Sequence, residues 1–418
     1  MQRVKFSVTM IRPVLLAQLR AWAPWVLAVS LAAHLPLMVS PEMTSMIDLR
    51  VYREGAPALF GDLYGFRLPD PTGIFPLPFT YPPFAALLFL PLSVLPWTVL
   101  VSAWQAVSVL CLWWLVERSL ALVSTTDAAT RRRDALLWTA VALWLEPVRT
   151  TLNYGQVNLI LAAVLLAGLA RARPVLAGAS VGLTAAVKLT PAISGLYFLV
   201  RRRWAEAVWS LLAFAAAVAL TWVIAPAASA RFWFHTMTDA NRVGPVGSAI
   251  NQSLRGALAR TLGHDVGFGA PWLAAVAAAA VLGGMALWRT ARTRDTLAIV
   301  LAVQLLGLLV SPISWSHHWV WVVPALVWLV HAASRGRRMA AVAALAWVAA
   351  TGSYVISYLL TQQPSIWQIP RPWPLSALGW VYPACAVLTL VVLALPAAGR
   401  RPVEAAVEQE DAGQLTVR

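Results

Sequence analysis

Charge is scarce in this 418-residue chain: 12% of its residues are Asp, Glu, Lys or Arg, against 60% that are hydrophobic, and the mean hydropathy is +0.70. No water-soluble domain of this size hides that much apolar surface, so a soluble protein is excluded. Cysteine is nearly absent. Cys111 and Cys385 both lie inside hydrophobic runs and fit no CxxC or other ligand spacing, which argues against a disulfide or a metal site. The chain also lacks a P-loop, a GxGxxG opening a Rossmann unit, and a GxSxG elbow, so ATP-driven transport and ordinary serine hydrolysis have no support. Nothing in it asks for a cofactor, and nothing sets an oligomeric state.

What the chain does have is repeated apolar stretches of about 20 residues, the length a helix needs to cross the hydrocarbon of a bilayer. That predicts an all-α polytopic membrane protein. Carboxylates are the rarer charge, 17 against 32 Lys and Arg, and the basic residues fall in clusters between hydrophobic runs: RRR at 131–133, RAR at 171–173, RRR at 201–203, RTARTR at 289–294, RGRR at 335–338 and RR at 400–401. This is the positive-inside pattern, and it accounts for the net charge of +15 without nucleic acid. The 22 Trp, several near the ends of apolar runs, suit the membrane interface. The run WAPWVLAVSLAAHLPLMVS at 22–40 is longer than the core of a signal peptide and reads as a retained first span.

With the N-terminus in the cytoplasm, spans near 22–40, 98–116, 135–152, 156–171, 205–226, 271–288, 295–312, 317–333, 339–360 and 377–396 keep every basic cluster on that side. The segment 174–200 carries basic residues at both ends, so it is expected to form a hairpin broken near LTP, where Pro191 interrupts the helix. The proline-rich segment 81–97 is expected to be re-entrant, interfacial or a short crossing. The expectation is a bundle of about 10–12 transmembrane helices with re-entrant or broken segments. Residues 1–400 form one integral membrane domain in this reading, and the polar tail 401–418 is cytoplasmic and disordered.

The same topology gathers the polar loops on the extracytoplasmic face: 41–81, NYGQVN at 153–158, 227–270 with NQSL, SPISWSHHW at 311–319, and 361–376. Acids are few there, and Asp48 in MIDLRVYR stands just behind the first span. Partial burial would raise its pKa toward the range of a general base, although a helix cap or an ion pair with Arg50 or Arg53 would use it equally well. Lys188 is an ammonium inside an apolar hairpin, expensive without a partner or water, and a fixed cation there suits a phosphate. His317 and His318 open a span after a turn, able to donate to phosphate or hydroxyl groups or to sit at the interface beside Trp315 and Trp319. The amides of Asn153, Gln156, Asn158, Asn251 and Gln252 suit a hydroxyl-rich ligand, or they cap and join helices.

Taken in order, DLRVYR, DLYGF, FTYPPFAALLFLPLSVLP, NYGQVNLIL, AAVKLTP followed by RRRW, NQSLRG and SPISWSHHW resemble the actinobacterial polyprenyl-phosphate-mannose-dependent mannosyltransferases of the C-type glycosyltransferase superfamily, over about residues 45–330. The resemblance implies an inner (plasma) membrane enzyme that moves mannose from a β-linked polyprenyl-phosphate donor to a glycolipid or lipoglycan acceptor on the outer face. Phosphatidylinositol mannoside, lipomannan and lipoarabinomannan are acceptors of that type. It implies inversion, with Asp48 as general base, and His318 or His317, with Lys188 and Arg255, at the donor phosphate. Tyr81, Gln156, Asn158, Asn251 and Gln252 become lining groups. A polyprenyl-phosphate-dependent arabinofuranosyltransferase is the alternative within the enzyme class, and a lipid or sugar transporter the alternative outside it, since broken helices and an intramembrane lysine serve transport too.

Overall fold

The computed structural model describes residues 2–39, 46–69, 76–293, 295–362 and 372–396, so Glu42, Asp70 and the tail 401–418 lie outside the described residues. The protein is all-α and polytopic. Strand among the described residues is confined to a two-residue antiparallel pair, β1 (Arg67–Leu68) with β2 (Leu77–Pro78).

The long α1 (Gln2–Val39) precedes α2 (Ile47–Gly55), formed by the MIDLRVYR stretch. Leu49, Val51 and Tyr52 are the buried side chains of α2, and Asp48 sits in its first turn, where the helix dipole favours an anion. α3 (Pro83–Phe89) runs through a 3-10 turn into α4 (Trp97–Val123), so the proline-rich segment becomes a short broken helix. α5 (Ala128–Ala142) starts on Asp127, whose carboxylate accepts from the backbone of Ala129 and Thr130.

Here the structure corrects the expected span at 135–152. The helix stops at Ala142 and a new one, α6 (Glu146–Tyr154), begins with Pro147 in its first turn. Proline ends a helix from inside but suits its start, and a hydropathy window passes over it without notice. α6 then meets α7 (Asn158–Leu169) at 115°. The expected break in 174–200 falls after α8 (Pro174–Val187), where extended Lys188 leads to a 3-10 turn at Thr190–Ser194 and α9 (Gly195–Val200).

α10 (Trp204–Ile224), α11 (Pro226–Arg231), α12 (Leu254–Leu262) and α13 (Ala270–Thr293) follow. Then come α14 (Thr296–Val310), α15 (Val322–Ser334), α16 (Arg338–Gly352), α17 (Val355–Thr361), α18 (Trp373–Leu378) and α19 (Val381–Ala394).

Among the described residues five helical stretches are long and apolar enough to span, one of them α16 and α17 taken together (Arg338–Thr361), or six with the bent α6–α7 pair. The remaining apolar runs counted as crossings are shorter helices: α14 has 15 residues and α19 has 14, below the roughly 20 that cross the full hydrocarbon. α14 is buried from Leu297 to Leu306 without a break, as a helix at the centre of a bundle must be when it is apolar all round. The outer helices turn apolar side chains away from the core, for example Leu211 (70% exposed) and Val223 (82%) of α10, which suits contact with lipid. α8 reaches α10 through Gly178 and Gly182, whose missing side chains make room for the backbone at Glu206 and Ser210. This is the small-residue spacing that lets membrane helices approach closely.

Candidate active site

The bend between α6 and α7 organises the site. Gly155 adopts φ 68°, a left-handed conformation that L side chains rarely take, and a Cβ there would stand 2.6 Å from the Cβ of Leu49. Glycine therefore lets α2 lie directly on the bend. The next residue, Gln156, gives a hydrogen bond to the Asp48 carboxylate. Its Oε1 accepts from the hydroxyls of Tyr52 (3.2 Å) and Tyr81 (3.1 Å), which are themselves 2.7 Å apart. Tyr52 is held by stacking on Phe89 at 4.4 Å.

Gly155→Ala is accordingly expected to strain the turn by about 1–2 kcal/mol and push α2 off the bend. Turnover should drop at least about tenfold through displacement of Asp48. Initial rates and a thermal midpoint on purified protein check this; full activity in the variant would show that the close approach is dispensable.

A second group of side chains meets on the other side of the same bend. The Lys188 ammonium donates to Asn158 Oδ1 at 2.8 Å and lies 3.1 Å from His318 Nε2 and 5.3 Å from the ring centre of Tyr81. Asn158 Nδ2 in turn donates to the His317 carbonyl at 2.8 Å, and Thr151 Oγ1 donates to the same oxygen at 3.0 Å. The turn carrying the two histidines is thereby fixed to α6 and α7. His317 packs edge-on against Tyr154 and His318.

Asp48, Lys188 and His318 are half-buried, and the latter two stand on the wall of a cavity. A cavity runs from Lys188 and His318 past Asn158 toward Leu161, Ile193 and Leu308. Burial pushes the Asp48 carboxyl up to about 6 from its ordinary 3.8, against the Gln156 hydrogen bond and the charge of Lys188, which both hold it down. Asp48 is thus a carboxyl with a raised pKa, within reach of the charge of Lys188 and of the Gln156 amide.

Asp48, Tyr81, Gln156, Asn158, Lys188, His317 and His318 are therefore brought together. Asn251 and Gln252 are placed differently, fully buried with their amides bonded to backbone. Asn251 donates to Val246 O and Pro312 O and accepts from the backbone of Ser253 and Ser314. Gln252 donates to Ala249 O and Gly379 O. Together with the bridge between Asn251 and Trp315 they hold the histidine turn from behind. Arg255 is engaged by Asp265 at 2.6 and 2.8 Å, over the ring of Phe268.

Tyr52, Tyr154 and Thr151 join the cluster without having stood out in the sequence as site residues. Proximity to MIDLRVYR and NYGQVN was the cue for the tyrosines, while Thr151 gave none. Arg50 lies over Trp97, and Arg53 donates to Leu95 O, so these two fasten α2 to the start of α4.

Residues 79–312 match glycosyltransferase family 87, and the chain belongs to that family. It is 42% identical, over 90% of its length and 91% of the relative's, to a polyprenol-phosphate-mannose-dependent α-(1-2)-phosphatidylinositol pentamannoside mannosyltransferase of Mycolicibacterium smegmatis. The corresponding protein of Mycobacterium tuberculosis is 43% identical, over 87% of this chain and 84% of that one. A polyprenol-phosphate-mannose-dependent α-(1-2)-phosphatidylinositol mannoside mannosyltransferase of M. tuberculosis is 37% identical, over 67% and 69% of the two chains. No solved structure matches the chain.

Proposed function

We propose that the protein transfers mannose from a polyprenyl-phosphate-mannose donor to a phosphatidylinositol-linked mannoside at the extracytoplasmic face of the plasma membrane. An α-(1→2) bond forms with inversion. One observation carries the reading: a half-buried carboxylate, Asp48, bonded by Gln156, stands within reach of the charge of Lys188, which with His318 and Asn158 lines a cavity. The acceptor hydroxyl attacks the anomeric carbon from the face opposite the phosphate while Asp48 takes its proton. The bond between that carbon and the phosphate oxygen breaks, and polyprenyl phosphate leaves with the electron pair, its charge balanced by Lys188 and hydrogen-bonded by His318.

The leaving phosphate is already anionic, so no second carboxylic acid is needed, in contrast to most glycosidases. His317, Tyr81, Gln156 and Asn158 shape the pocket in this reading, while Asn251, Gln252 and Arg255 act as scaffold. Residues 1–400 are read as a single catalytic unit: one hydrophobic cluster runs from Leu112 to Leu393, a second that includes α2 runs from Met46 to Phe232, and both draw on α4, α7 and α8.

The test is to incubate purified protein with polyprenyl-phosphomannose and a phosphatidylinositol mannoside and to determine the product linkage and anomeric configuration. Product from the arabinosyl donor and none from the mannosyl donor would reverse the donor assignment. The pH profile has a stated sign. Asp48 must be ionised to accept a proton, so kcat/KM should fall below about pH 6, tenfold per pH unit at the limit. An activity that stays constant down to pH 4.5 would remove Asp48 as the base.

A further inference from the structure

At the other end of α6 lies a second group of basic side chains that the reaction above does not use. His34 of α1 is 4% exposed and packs edge-on against Trp144 at 5.8 Å, yet neither ring nitrogen has a hydrogen-bond partner among the described residues. One turn earlier the junction is well satisfied: Ser30 donates to Ala140 O and accepts from Trp144 Nε1. His34 is left with both ring nitrogens unused, which buried groups rarely are.

Arg149 of α6 reaches the same junction through Tyr354, whose hydroxyl donates to Trp144 O at 2.7 Å. It is half-buried, its guanidinium rests on the ring of Tyr354 at 5.1 Å, and its Nε is buried without an acceptor. No carboxylate among the described residues pairs with it. Glu146, one turn back on the same helix, is spent elsewhere: its oxygens accept from Ser357 N and Oγ, Ile356 N and the Tyr382 hydroxyl. A guanidinium and an imidazole with unmet hydrogen-bonding atoms therefore share this junction, and no carboxylate among the described residues bonds to either, an arrangement that an incoming anion would relieve.

The place in the fold says which anion. Leu35, beside His34, is 62% exposed and Trp25 of the same helix is 67% exposed, so this edge of the bundle faces the membrane. The far end of α6 carries Tyr154 and leads into Gln156 of the candidate active site, about 10 Å along the helix from Arg149. A lipid-anchored glycan needs this span, because its phosphodiester stays at the membrane interface while its growing end reaches the base.

We propose that His34 and Arg149 form a binding site for the phosphodiester of the glycolipid acceptor, with Arg149 supplying the planar fork that suits phosphate and His34 one further hydrogen bond. The proposal rests on the function given above for the identity of that acceptor.

Two measurements test it. In Arg149→Gln the KM for a phosphatidylinositol mannoside should rise at least about tenfold, the cost of one charge-assisted hydrogen bond. The KM values for a phosphate-free mannosyl diacylglycerol and for the donor should stay unchanged, and Arg149→Lys should recover part of the loss. An equal loss on both acceptors, or none on either, overturns the site.

The second measurement needs no turnover. Phosphatidylinositol micelles should raise the thermal midpoint of the wild-type protein, diacylglycerol micelles and inorganic phosphate should not, and Arg149→Gln should abolish the rise. A rise that survives in Arg149→Gln, or that inorganic phosphate reproduces, overturns the proposal. If the wild type transfers no mannose while the lipid-dependent rise holds, the proposed function fails and the phosphodiester site stands.

Discussion

Asp48→Asn is expected to lower kcat by about 10²–10⁴-fold, the contribution typical of a general base, in a protein that remains folded. The two halves of that expectation have one cause. Burial raises the carboxyl to about 6 from 3.8, so the folded state holds the proton more tightly than the unfolded chain does. For an acid with a raised pKa, stability is lost as pH rises from the ordinary value through the folded one, and at neutral pH the ionised Asp48 is a net cost to the fold. The amide has nearly the same shape, carries no charge to desolvate, and keeps a group for Gln156 to bond. Its thermal midpoint at pH 7 should therefore equal or exceed that of the wild type. Initial rates with polyprenyl-phosphomannose, measured beside thermal unfolding, check both halves. A wild-type rate in Asp48→Asn would remove the base from the mechanism, and a collapsed midpoint would show that the carboxylate serves the fold instead.

That a site sits among these segments is legible in the sequence because their polarity is anomalous in so apolar a chain. The first loop, NYGQVN, AAVKLTP and SPISWSHHW each interrupt a hydrophobic run, and the structure joins side chains from all four at one bend. The all-α membrane class follows from composition alone, and the break beside Lys188 follows from the chemistry of Pro191. What the sequence hides is partnership at long range. Nothing local reveals that Arg255 is engaged by Asp265, or that the Asn251 and Gln252 amides are consumed by backbone groups up to 130 residues away. The split between α5 and α6 is missed for another reason: hydropathy averages over Leu143–Leu145, whereas backbone geometry turns on the single proline that follows. That split is consequential, since it lets α6 turn by 115° from α7, with Arg149 in its first half and the Gly155 bend after its last residue.

Lys188→Met should lower kcat/KM for the donor by about 10²–10³-fold, as expected when a preorganised group that meets developing phosphate charge is lost. Rate alone would not separate this from a structural role, because the ammonium also bridges Asn158 and His318 at 2.8 and 3.1 Å. The pH profile does separate them. The positive charge of Lys188 is one of the two influences that hold the Asp48 carboxyl down against burial. Without it the acid limb of kcat/KM should move upward from about pH 6, and the residual activity should be shifted toward alkaline pH. A lysine that merely braces the histidine turn would cost rate and leave the limb where it was. Arginine should not substitute, because its planar fork does not fit a point-charge position between an amide oxygen and an imidazole nitrogen. An unshifted limb in Lys188→Met, in protein whose thermal midpoint is intact, would place the donor phosphate away from Lys188 and leave His318 to bind it.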